Sequence, residues 1–223
     1  MSPNLKPLAY TLLLMAGCAS AGPLVELSAE ASRPAPNDLF RATVFAEATG
    51  TTGAEAARQV NAQIAAGLAT AKGQSAIKVQ TGSSHTWANY GKGGKIDSWR
   101  MRSELQLESR DQAALSDLLG RLQTSLGVAS LGAQPAPETR KQVEEGAVRD
   151  AIAAFQERAK VIAGALGKPY RIKQLNVSSG DRMPMPMFKV AAAPMARDAS
   201  PMPVEGGESA VSVTVSGQIE LAD

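Results

Sequence analysis

Residues 138–180 read ETRKQVEEGAVRDAIAAFQERAKVIAGALGKPYRIKQLNVSSG, and this stretch decides the fold. Val148, Ile152, Phe155, Ala159, Ile162 and Leu166 recur at steps of four and three, which traces one apolar stripe along a long helix. Gly167 follows the last of them, Pro169 comes two residues later, and Lys168 sits at the negative end of the helix. A strand over Tyr170 to Ser178 is expected next. A stripe of this length must lie on a sheet, and the rest of the chain has to supply one.

It does so on both sides. Val25, Leu27, Ala29 and Ala31 alternate with Glu26, Ser28, Glu30 and Ser32, a half-buried strand broken by Pro34-Ala35-Pro36-Asn37-Asp38. Phe40, Ala42, Val44, Ala46 and Ala48 form a second alternating run, and the two are expected to pair as an antiparallel hairpin with a longer loop. Thr52-Gly53-Ala54-Glu55 matches a capping box, with Val60, Ile64 and Leu68 at helical spacing behind it and Gly73 at the end. Ile77 and Val79 predict a short strand, followed by a polar, turn-rich stretch from Gly82 to Gly94. Trp99, Met101, Leu105 and Leu107 predict another strand, and Asp111 caps a helix carrying Leu115, Leu118, Leu119 and Leu122. Val128 to Gln134 and the run Val211, Val213, Val215, Gly217, Ile219 and Leu221 complete the set. The order is ββαββαβαββ, an α+β fold of largely antiparallel sheets packed against a long Ala-rich amphipathic helix and two shorter helices.

Residues 181–207 stand apart. Pro184, Pro186, Pro194, Pro201 and Pro203 are incompatible with regular ladders, so a long loop is expected there, as an insertion within a domain of residues 22–223. The loop also holds Met183, Met185 and Met187 at alternate positions, with Met195 and Met202 beyond. Soft thioethers at that spacing select Cu(I), so these three are the candidate metal ligands, and exposed methionines also scavenge oxidants. The competing reading is an apolar, Pro-stiffened loop packed on a neighbour.

The chain opens on an export signal. Lys6 precedes the apolar run Pro7 to Cys18, which is too short to span a bilayer. Two processing signals overlap here. Ala19-Ser20-Ala21 before Gly22 is a signal-peptidase site that would remove residues 1–21. Met15-Ala16-Gly17-Cys18 resembles a lipobox, which would remove 1–17 and lipidate Cys18. A periplasmic protein, soluble or held to the membrane only through that lipid, is expected. Cys18 is the single cysteine, so the folded part gains no disulfide from an oxidising compartment.

Catalytic patterns are scarce. His85 is the single histidine, near Asp97 and Ser98 in sequence but without a nucleophile elbow, and reads as a polar hairpin residue. Zinc needs more nitrogen, thiolate or carboxylate ligands than this chain groups together. Gly91-Lys92-Gly93-Gly94-Lys95 lacks phosphate-loop spacing and reads as a turn. Glu144 and Glu145 sit on a charged helix face open to solvent. A net charge of +2 with no basic stripe excludes nucleic acid as a partner. No catalytic residue and no cofactor are assigned.

From about Leu24 to Leu221 the chain resembles the SIMPL-domain (DUF541) family, which includes bacterial periplasmic proteins of oxidative-stress defence. The resemblance rests on Ala54 to Leu68, on LQLESRDQAALSDLL from Leu105, and on Ala147 to Gly180, followed by a Pro-rich gap and Val-x-Val-x-Val after Gly206. The opening strand LVELSAEAS departs from the family's Gly-rich one. The resemblance implies export, an α+β fold, assembly into a homo-oligomer or with an envelope partner, and no catalytic residues to carry over. The expected function is therefore a non-enzymatic envelope protein, with a Met-loop copper-binding or oxidant-scavenging module as the alternative.

Overall fold

The computed structural model describes residues 22–180 and 206–222. Ten elements run β1 (Leu24–Pro36), β2 (Leu39–Gly50), α1 (Gly53–Lys72), β3 (Ile77–Tyr90), β4 (Ile96–Ser109), α2 (Gln112–Leu122), β5 (Gly127–Gln134), α3 (Pro137–Ala165), β6 (Tyr170–Ser179) and β7 (Glu208–Leu221). This is the order the sequence predicts. The strands form two antiparallel sheets, β1-β7-β6 and β3-β4-β2-β5. Helix α3 lies on the first, and α1 and α2 lie on the second.

The expected hairpin of the first two strands does not form. β1 pairs with β7, β2 pairs with β4 and β5, and only Asn37 and Asp38 connect the two sheets along the chain at that point. Nor do the prolines break β1, which runs on to Pro36 opposite Glu208. β1 is an edge strand, so a proline there can turn its missing N–H away from the ladder. β3 is likewise longer than its apolar residues foretell. It pairs with β4 as far as Tyr90↔Ile96, past a bulge between Thr81 and Ser84. A ladder needs backbone partners rather than apolar side chains, and β4 supplies them.

Each layer has its own core. Around α1 and α2, Leu105, Leu107, Leu115, Leu118 and Leu122 are fully buried with Val44 and Val60. Around α3 the core is thinner. The helix meets the sheet along Ala147, Ala151, Phe155, Ala159 and Ala163, every fourth residue, against Leu27, Val213, Val215 and Ile219. The line of contact is thus rotated from the stripe read in the sequence: Val148, Ile152 and Ile162 are half-buried flanks, and Leu166 is exposed. Alanine on the contact line lets the helix axis approach the sheet, and the larger aliphatics then fill the sides.

The predicted ends hold with one adjustment. Thr52 accepts from the Glu55 amide (3.2 Å), but the Glu55 carboxylate accepts from the amide and hydroxyl of Thr51 (2.9 and 2.7 Å), one residue before the cap. Asp111 caps α2 by accepting from the Ala114 amide (3.0 Å). At the end of α3, the Lys168 amide donates to Ala163 O (3.1 Å) and the Gly167 amide to Gly164 O (3.2 Å), a Schellman motif with Gly167 at φ +62°.

Candidate functional site

The residues that the sequence singles out fall in three places. Met183, Met185 and Met187, with Cys18, lie outside the described residues. His85 is exposed on β3 opposite Arg102. Ser98 lies four residues along β4 from Arg102, about 13 Å at strand rise, and bonds Asn89 (3.1 Å). His85 and Ser98 are thus not brought together. Gly91 to Lys95 closes the β3–β4 hairpin: the Gly91 amide donates to Lys95 O (2.9 Å), and Gly93 and Gly94 take φ +90° and +74°. Of the Glu144–Glu145 pair, Glu145 is exposed, whereas Glu144 is half-buried and accepts from the Ser179 hydroxyl of β6. Among the described residues, no three His, Cys, Asp or Glu side chains converge as metal ligands.

The sequence left unmarked the junction where the sheets meet. Asn37 is buried, its amide nitrogen donating to Gly206 O (2.7 Å) and its amide oxygen accepting from the Ser209 hydroxyl (2.7 Å). Its neighbour Asp38 accepts from the Ala136 amide (2.7 Å) and the Thr139 hydroxyl (2.7 Å), capping α3 from another segment. Burial pushes the Asp38 carboxyl up, but these bonds, its own backbone amide and the Arg110 charge outweigh that and hold it below its ordinary value. Further back along β1, Arg33 lies across Gly146 and grips Asp150 with two bonds (2.5 and 2.9 Å), which lowers the Asp150 carboxyl. A proline-and-asparagine linker gave no hint of this, because each partner is about a hundred or more positions away.

The outer face of the four-stranded sheet is polar. Arg102 stacks over Phe45 (3.7 Å), Arg100 over Trp87 (5.7 Å) while paired with Glu47, and Arg41 pairs with Glu108 (2.8 Å). A shallow depression of about 440 Å³ lies between Arg41, Thr43, Lys78, Gln80, Gln106 and Ser130. Its charges are of both signs and largely matched, which suits a solvated face.

The three-stranded sheet has the distinctive surface. α3 covers β1 and β7 and leaves β6 at the margin, so Ile172, Leu175 and Val177 remain 37, 40 and 44% exposed on the helix-side face. Among the described residues nothing pairs with the outer edge of β6. Half-buried Val148 and Ile152 pack against the core of this layer. On the opposite face Arg171 bonds buried Glu220 (2.5 Å) and Lys173 approaches it (3.4 Å). The Arg171 hydrogen bond, against the cost of burial and aided by both cationic charges, pulls the Glu220 carboxyl down. The bulge between Ile172 and Gln174 fits beside Gly217, where a Cβ would stand 2.1 Å from Gln174 O.

Fold and surface together define an α+β protein built of two sheet–helix layers, with an open apolar edge among the described residues. The SIMPL family, described as a protein of unknown function (DUF541), matches residues 25–219, and the chain belongs to it. No curated protein matches the chain.

Proposed function

We propose that this is a non-enzymatic protein of the bacterial cell envelope that acts by assembly with further copies of itself through β6. The open edge carries the proposal: among the described residues β6 lies edge-on to solvent, and with Ile172, Leu175 and Val177 beside it offers both unpaired backbone groups and apolar area. The other edge of the same sheet, β1, carries Pro34 and Pro36 and is a poor template. A second copy fits because antiparallel β6–β6 pairing keeps the cationic Arg171 and Lys173 of the two copies at opposite ends of the joint and lays the apolar side chains of both on one face. Completing the burial of the three side chains is worth roughly 1 kcal/mol each per copy, which is comparable to the association cost of about 4–15 kcal/mol. The new ladder must contribute too, so assembly depends on concentration. The envelope setting rests on the leader residues, and a part in oxidative-stress defence rests on the family resemblance alone.

Light scattering on size-exclusion fractions of residues 22–223 tests this. The expected result is an oligomer that Leu175→Lys and Val177→Lys each convert to monomer with unchanged thermal melting. A wild-type monomer at high concentration, or oligomers that survive both changes, overturns it.

A further inference from the structure

The β3–β4 hairpin reaches beyond its sheet. β2 makes its last pair with β4 at Gly50↔Trp99, whereas β3 and β4 stay paired to Tyr90↔Ile96. Residues 89–97 therefore project as a two-stranded ribbon, an arrangement that a sheet core does not support. Its end is apolar nonetheless: Tyr90 is 69% and Ile96 49% exposed, directly opposite one another, and Trp87 behind them is 38% exposed. Exposed Lys92 and Lys95 flank the pair in the turn, with the Asp97 side chain beside Gly91 offsetting one of the two charges.

We propose that this tip docks on an anionic phospholipid surface. Tyrosine and tryptophan suit the boundary between headgroups and acyl chains, having apolar bodies and polar ends, while the lysine stems lie along apolar surface and present their ammonium groups to phosphate. The small size of the tip selects the occupant. A ribbon end of this length buries far less than the roughly 1,000 Å² that a specific protein interface needs, whereas a bilayer accepts an isolated protrusion without a matching shape. Fixed positive φ at Gly93 and Gly94 keeps the turn tight, so both lysines stay at the end of the ribbon. The inference does not depend on β6, which lies in the other sheet.

Both tryptophans of the chain, Trp87 and Trp99, lie on this hairpin, so intrinsic fluorescence reports on it directly. Residues 22–223 are mixed at low salt with vesicles of phosphatidylglycerol and phosphatidylethanolamine, and separately with phosphatidylcholine alone. The expected result is co-sedimentation and a blue-shifted emission with the anionic vesicles only. Lys92→Gln with Lys95→Gln weakens partitioning roughly thirtyfold, and Tyr90→Ser with Ile96→Ser abolishes it, both at unchanged thermal melting. Equal binding to the neutral vesicles, or binding that survives both double changes, overturns the proposal. An unshifted spectrum at millimolar anionic lipid also overturns it, and leaves the tip to a protein partner.

Discussion

The two layers solve the same packing problem with different materials. The four-stranded layer buries leucines from α2 and β4 against Val60 and Ile64 of α1, a thick core under two helices. The three-stranded layer sets one long helix on a line of alanines, close to the sheet but too narrow to cover it, and among the described residues β6 stays open. A Leu-rich layer is thick and self-sufficient. An Ala-rich one is thin, depends on a few large side chains, and leaves a margin that can be used for contact. The choice of core residue thus decides where surface remains.

Removing the largest side chain of the thin layer should break the comparison most clearly. Phe155 is fully buried, and Phe155→Ala is expected to cost about 3–5 kcal/mol, against about 2–5 kcal/mol for Leu118→Ala in the thick layer, read from denaturant midpoints. A smaller loss for Phe155 than for Leu118 would show that alanine contacts, not the phenyl ring, hold α3. Gly217→Ala comes next. Its new methyl meets the Gln174 backbone in β6, a contact that cannot turn aside, and about 1–3 kcal/mol should be lost. Stability within error of the parent would mean that β6 shifts freely at the bulge.

The smallest effect belongs to the junction between the layers. Asp38→Ala removes the cap on α3 and should cost about 0.5–2 kcal/mol. Because the folded Asp38 carboxyl titrates below its ordinary value, its contribution is fully present above about pH 4–5. That contribution is lost as the pH falls through the lowered folded value. Asp38→Asn should therefore flatten the acid limb of the stability profile, and parallel profiles for parent and variant would remove this role.

Much of this was legible in the chain. Alternation at Phe40 to Ala48, Trp99 to Leu107 and Val211 to Leu221 marks strands whose one face is buried, and period two survives any partner. The caps at Thr52, Asp111 and Gly167 are local chemistry, decided within four residues. The apolar spacing that marked α3 was real, yet it pointed to the wrong rim of the buried face, because hydrophobicity ranks valine and isoleucine above the alanines that make closest approach. His85 and Gly91 to Lys95 fall on a hairpin as their composition foretold, while the methionine ligands and Cys18 lie outside the described residues.

The sequence by itself thus determined the elements, their order and the helix caps, since hydrogen bonding and periodicity are properties of neighbours along the chain. Only the tertiary structure decided which strands pair. It sent β1 to β7 and β2 to β4, tied the layers at Asn37 and Asp38, and left β6 at an edge. The reason is physical: a strand carries donors and acceptors on both edges and accepts any partner of matching length and face, so the global arrangement of cores makes the choice.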